Sequence, residues 1–139
     1  MDATTFIALA SLCAPLVHPS TAQATALTES GFNPHTIGVV AGSLERQPRS
    51  LEEALATAQA LREQGRNFSV GLAQINVHNL NRFGMSAADG FDACKNLRAM
   101  RRVLRECFEQ AALRDREQQS LQRALFLLLQ RQLHDWLPP

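Results

Sequence analysis

The chain has 139 residues and a mass of 15.4 kDa, enough for one domain. With 45% apolar and 19% charged residues it can bury a core of its own, and no staple is obligatory. A net charge of +1 argues against a dedicated nucleic-acid binder, and no apolar run approaches the ~20 residues of a membrane span. The basic residues are thirteen Arg and one Lys, Lys95, a bias that reads as a GC-rich coding sequence.

Near the N-terminus, Phe6-Ile7-Ala8-Leu9-Ala10 followed by Ala22-Gln23-Ala24 imitates a signal peptide. Signal peptides open with positive charge, whereas this stretch opens with Asp2 and has no Lys or Arg before Arg46. Phe6, Leu9, Cys13 and Leu16 fall at helical spacing, so a core helix over roughly 4–15 is the better reading, with no convincing signal peptide. A second helix is predicted from His18-Pro19, where proline suits the first turn, to about Ser30. Gly31 closes it and Asn33-Pro34 opens a loop. Residues 38–48 read as an exposed excursion.

Ser50-Leu51-Glu52-Glu53 has the form of a capping box. The helix behind it places Leu51, Ala54, Leu55, Ala58 and Leu61 on one face, and Gly65 ends it. Gly71 to Asn81 reads as a loop and short helix, and Met85 to Gly90 as turn-like. Leu97, Met100, Leu104, Cys107, Phe108 and Ala111 then predict a helix over 95–112. A separate helical stretch, Ser120 to Trp136, carries the apolar run Leu125-Phe126-Leu127-Leu128-Leu129. No strand period is convincing, so the predicted fold is all or mostly α.

Three cysteines allow at most one intramolecular disulfide. On one helix Cys94 and Cys107 would lie about 19 Å apart, beyond the ~7 Å that a disulfide tolerates. Cys13 with either of them stays open. No spacing resembles a metal site, and no cofactor is expected.

Two clusters carry chemistry. Glu29-Ser30-Gly31 sits at the end of an apolar helix, where half-burial would disfavour the charged carboxylate and suit a general acid. Asn67-Phe68-Ser69-Val70-Gly71-Leu72-Ala73-Gln74-Ile75-Asn76 combines a glycine that permits close backbone approach with amides and hydroxyls suited to sugar hydroxyls and acetamides. Each alone is weak: a solvated cap, or a polar loop under a helix.

Together, Glu-Ser-Gly and then Gly-Leu-x-Gln-Ile-Asn about forty residues later resemble the goose-lysozyme-like lytic transglycosylase family. Further residues resemble the branch associated with type IV secretion and conjugation: Cys13-Ala14-Pro15, Val17-His18-Pro19, Phe32-Asn33-Pro34, Gln47-Pro48-Arg49-Ser50 and Cys94-x-Asn96-Leu97-Arg98-Ala99. The resemblance implies a lysozyme-like domain over 1–115 and cleavage of the β-1,4 MurNAc–GlcNAc bond of peptidoglycan in the periplasm or cell envelope. Glu29 matches the single catalytic acid/base, giving a 1,6-anhydro end without the usual second carboxylate. Ser30, Ser69, Gln74 and Asn76 match the groove lining, and Gly71 the position where the sugar nears the backbone. Peptidoglycan is the implied partner, with type IV secretion components beside it.

His18, His35, His78 and His134 are scattered, and His18 at a helix start favours a structural role. Arg98, Arg101, Arg102 and Arg105 form one helix face, open to anionic wall polymers but read first as a solvated face. Thr25 and Thr28 stand where the family tends to place apolar residues, and a buried threonine without a partner costs roughly 1–3 kcal/mol.

The resemblance breaks at the end. The family closes on Ser-Cys-Tyr-Tyr-Ser-Gly-Asn-Phe, its tyrosine beside the catalytic acid and its cysteine a candidate to bridge Cys94 or Cys13. This chain contains no tyrosine. In that place stands Phe126-Leu127-Leu128-Leu129-Gln130-Arg131-Gln132-Leu133, and the string ttc-ctg-tta-cta-cag-cgg-caa-ctt encodes it. Read one base later, the same string gives the family motif up to an incomplete last codon. We take the coding frame to have shifted between about 114 and 125, so that 116–139 is an atypical helical tail, apolar enough to pack. Such a loss of a positioned donor typically costs ~10²–10³ in rate. The rival readings are therefore a weak or inactive glycan-binding or assembly protein of the same fold and, third, a lysozyme-like hydrolase.

Overall fold

The structure is a computed structural model that describes the backbone of residues 1–136 and the side chains of residues 1–131. The expectations for Leu133, His134 and Trp136 fall outside the described side chains. Residues Met1–Arg102 form one compact unit and those from Val103 onward a second.

In the first unit, α1 (Ala3–Cys13) starts on Asp2, whose carboxylate accepts from the Thr5 N–H at 2.7 Å. It buries Phe6, Ala10 and Cys13, one residue per turn along one side. Leu16, expected on that buried face, is 75% exposed, because the helix stops at Cys13 and the chain turns before reaching it.

Helix α2 (Pro19–Ser30) is capped by His18, whose Nδ1 accepts from the Ser20 N–H at 3.2 Å, which gives His18 the structural role expected of it. Ala22 and Ala26 are fully buried, and side chains this small let α1 and α2 pack closely. Gly31 ends α2 in the left-handed conformation, φ +58°, and donates to the Leu27 carbonyl. Phe32 follows at φ +63°, a conformation that disfavours a side chain. Its ring is buried 5.1 Å from the Phe6 ring, and that burial offsets the strain.

Three short strands form an antiparallel sheet: β1 (Ile37–Val39), β2 (Phe68–Val70) and β3 (Ile75–Asn76), ordered β1-β2-β3. Ile37 faces Val70, and Ser69 faces Asn76. This corrects the strandless reading and the assignment of 38–48 wholly to an exposed excursion. Segments of three, three and two residues are too short to display the alternation by which strands are recognised. The Gln47 carboxamide stands in for a neighbouring strand beside β1. Its Oε1 accepts from the Ile37 N–H and its Nε2 donates to the Ile37 carbonyl, both at 2.9 Å.

Helix α3 (Leu51–Glu63) buries Ala54, Ala58 and Leu61, while Leu51 is exposed. Ser50 caps it as expected, but Glu53 reaches back to the Arg49 N–H rather than to that of Ser50, and pairs with Arg46. Helix α4 (Val77–Arg82) follows β3, and α5 (Ala87–Phe91) occupies the stretch read as a turn. There Ser86 and Asp89 form a complete reciprocal capping box.

Helix α6 (Ala93–Trp136) is continuous for 44 residues, where two helices were expected. The stretch holds no glycine or proline, and residues 113–120 are mostly good helix formers, so no break is imposed. Its first turns bury Asn96, Leu97, Ala99 and Met100. Further along, Phe108 is 77% exposed and Leu125 to Leu129 are exposed as well, so the apolar run is not packed as expected. Cys13, the last residue of α1, is bonded to Cys94 in the first turn of α6, with Cα atoms 5.3 Å apart, which resolves the open pairing. Cys107 is exposed and unbridged. Among the described residues no helix is long and apolar enough to cross a membrane.

Candidate active site

Glu29 lies in the last turn of α2, and the serine beside it does the positioning. Ser30 Oγ lies 3.0 Å from the Ala26 carbonyl and 2.7 Å from the Leu72 carbonyl, 42 residues away. A hydroxyl shared in this way locks the end of α2 onto the turn between β2 and β3. The helix end that carries Glu29 is thereby held to the turn of the second polar cluster.

That turn has an unusual backbone. Gly71 sits at φ +81° and Gln74 at φ +51°. The Gly71 N–H donates to the Thr36 carbonyl at 2.9 Å. The Gln74 side chain donates from Nε2 to the same carbonyl at 2.9 Å and to Gly71 O at 3.0 Å. Gln74 thus ties its own turn to the segment entering β1, and its Oε1 occupies the space where a side chain on Gly38 would start.

Behind the turn, Asn96 is fully buried and fully bonded. Its Nδ2 donates to Val70 O at 3.0 Å and Gly90 O at 2.8 Å, and its Oδ1 accepts from the Ala73 N–H at 2.9 Å. A Cβ on Gly71 would overlap Asn96 Nδ2 and the Gly90 carbonyl. Packing inside the protein therefore already demands the glycine.

In front, Asn76 starts α4, its Oδ1 accepting from the His78 N–H at 3.0 Å. Its Nδ2 donates to Asn67 Oδ1 at 2.8 Å and lies 3.4 Å from Ser69 Oγ. The structure thus gathers Ser69 and Asn76 into one hydrogen-bonded group, sets Gly71 and Gln74 in the adjoining turn, and attaches Ser30 through Leu72.

Glu29 differs from its expectation. It is exposed, and its carboxylate has no hydrogen-bond or ionic partner among the described residues, so the half-burial read from its place at a helix end is absent. The threonines also differ. Thr28 is exposed, and the half-buried Thr25 donates to the Thr21 carbonyl at 2.8 Å, so neither carries the cost of an unsatisfied buried hydroxyl. Sequence reasoning passed over Thr36, and took Asn67 and Asn96 only as parts of motifs. A lone amide beside the apolar Leu97 and Met100 is the signal that could have marked Asn96. Among the described residues no His, Cys, Asp and Glu side chains converge on a site for a metal ion.

With this geometry established, comparison with known proteins is decisive. The model of the transglycosylase SLT domain matches residues 7–121. The chain belongs to the SLT transglycosylase family. It is 50% identical over 109 residues to the type IV secretion system protein virB1 of Brucella abortus, covering 78% of this chain and 46% of that one. It is 30% identical over 115 residues to protein virB1 of Agrobacterium fabrum, covering 81% and 46%. Protein virB1 of Rhizobium radiobacter is 28% identical over 127 residues, covering 90% and 52%. The chain therefore spans about half the length of the curated relatives it matches, and the Brucella relative is a type IV secretion system protein by name. No solved structure gives a significant match. The fold is the mostly α, lysozyme-like one that the motifs implied.

Proposed function

We propose that this SLT transglycosylase domain is a lytic transglycosylase that cleaves the β-1,4 bond between MurNAc and GlcNAc in peptidoglycan, with Glu29 as its acid and base. The observation that carries the reading is the Ser30–Leu72 bond, which fastens the helix end bearing Glu29 to the Gly71–Asn76 turn. Glu29 protonates the glycosidic oxygen as the bond to the muramyl C1 breaks. The same carboxylate then takes the proton of the muramyl C6 hydroxyl as O6 bonds to C1. The product ends in a 1,6-anhydro ring and no water is consumed, so the second carboxylate of ordinary glycoside hydrolysis has no part to play. In keeping with this, the carboxylate of Glu53, on α3 between the two clusters, is occupied by Arg46 and the Arg49 N–H. Ser69 and Asn76 offer polar groups to the sugar, with Gln74 and Gly71 shaping the wall beside them.

The type IV secretion relatives support a place in the cell envelope, where such cleavage would open the wall locally for a secretion or conjugation assembly. A disulfide between Cys13 and Cys94 suits an oxidising compartment of that kind.

One observation favours a second reading. Glu29 is exposed and its carboxylate has no partner among the described residues. The tail from 116 onward lacks the family's tyrosine, and in this reading turnover is weak or lost while glycan binding persists. The end of the family match at residue 121 supports a change of frame near that point. Sequencing the gene tests the frame: codons incompatible with the shifted motif sink it. Turbidity loss of a suspension of sacculi, compared for the wild type and Glu29→Gln, tests the function. Clearing by the wild type alone supports the enzyme, and binding without clearing supports the second reading.

A further inference from the structure

The end of α4 and the starts of α5 and α6 enclose an open pocket of about 270 Å³, and none of its residues belongs to the Glu29 site. Phe83, Met85 and Ala99 form its apolar part. Two guanidinium groups lie over the Phe83 ring, Arg102 at 4.1 Å and Arg82 at 4.6 Å from its centroid. Such cation–π contacts hold an aromatic ring in place before anything binds. Three cationic side chains, Lys95, Arg98 and Arg102, line the pocket against a single carboxylate, Asp89. That carboxylate is already committed: one oxygen accepts from Lys95 Nζ at 2.9 Å and the other from the Ser86 N–H at 3.0 Å. Arg98 is exposed and has no partner among the described residues. The pocket is thus apolar within and cationic at its rim.

We propose that this pocket docks an acidic segment of a partner protein. One aromatic or large aliphatic side chain would rest on Phe83, Met85 and Ala99, and flanking Asp or Glu carboxylates would pair with Arg98 and Lys95. The volume lies below the ~300 Å³ at which small-molecule sites begin, and it suits one inserted side chain better than a whole metabolite. Charge complementarity selects the acidic flanks, and the half-buried Phe83 and Met85 beside them select a protein side chain over a purely polar polyanion, which would leave that apolar surface idle. Phe, Met and Arg are the residue types enriched where proteins meet.

The test titrates the full chain, isotopically labelled, with the peptide acetyl-Glu-Asp-Glu-Phe-Glu-Asp-amide, followed by amide chemical shifts and fluorescence anisotropy. Shift changes should cluster at 83–85 and 95–102. Replacing the peptide's Phe by Ser, or Arg98 by Glu in the protein, should each weaken binding about tenfold at low salt. Arg98→Glu is a surface change whose fold the same spectra verify, and it should leave clearing of sacculi unaltered. Equal affinity for the Ser peptide or for polyglutamate would reduce the effect to plain charge attraction and overturn the proposal. Shift changes confined elsewhere, or tighter binding of isolated peptidoglycan stem peptides, would overturn it as well.

Discussion

Ser30 and Leu72, 42 residues apart in sequence, are joined by a 2.7 Å hydrogen bond from the serine hydroxyl to the leucine carbonyl. The bond couples the last turn of the helix carrying Glu29 to the turn between β2 and β3. Removing it by Ser30→Ala leaves a part-buried carbonyl without its donor, at a cost of about 1–3 kcal/mol. Denaturant unfolding should show that loss, and clearing of sacculi should fall further than it does for Thr28→Ala, an exposed neighbour on the same helix.

Gly71 and Asn96 should be the least replaceable pair in the first unit. A methyl group on Gly71 meets Asn96 Nδ2 and the Gly90 carbonyl, and φ at +81° already disfavours any side chain. Gly71→Ala should therefore cost several kcal/mol, as overpacking compounded by backbone strain does. Gly65→Ala, also at positive φ but with open space around it, should cost only about 1 kcal/mol. Chemical denaturation of the two variants side by side checks the contrast.

Much of this was legible in the sequence. Apolar residues at helical spacing located α1 and α3, and Pro19 and Gly31 located α2, each to within a few residues, while Ser50 and Gly65 marked the ends of α3. The site clusters were legible because residue type and order suffice to suggest sugar chemistry. Other features depend on partners distant in the chain. The strands are too short for a period, Gln47 replaces a strand with a side chain, and the Gly71 requirement is set by an amide 25 positions later. The exposure of Glu29 belongs to the same class, since what covers a helix end is decided by tertiary structure rather than by local spacing.

The Cys13–Cys94 disulfide closes a span of 81 residues. Cross-linking a loop of that size removes enough freedom from the unfolded chain to stabilise the fold by about 2–5 kcal/mol. Cys13→Ser, or reduction of the wild type, should lower the melting midpoint, whereas Cys107→Ser should leave it unchanged. A calorimetric scan with and without reductant checks both.

The Ser86–Asp89–Lys95 group predicts a pH dependence. The Ser86 backbone N–H, and after it the Lys95 ammonium, hold the Asp89 carboxyl below its ordinary range. Asp89 in turn holds Lys95 above its ordinary range. A lowered acid contributes stability that is present above its unfolded pKa of ~3.9 and lost as the pH falls through the folded value. A raised base contributes stability that is present below its unfolded pKa of ~10.4 and lost as the pH rises through the folded one. The wild type should therefore melt higher than Asp89→Asn near neutrality, and the gap should narrow as the pH falls below about 4. A gap that widens on acidification would contradict this.

The central claim is that Glu29 drives an anhydro-forming cleavage, and the products identify it most directly. Purified protein is incubated with sacculi, and the soluble fragments are analysed by mass spectrometry with Glu29→Gln in parallel. The account predicts 1,6-anhydro-muropeptides from the wild type and none from the variant. Fragments with reducing ends would instead identify a hydrolase, and bound but undigested sacculi with the wild type would contradict catalysis altogether.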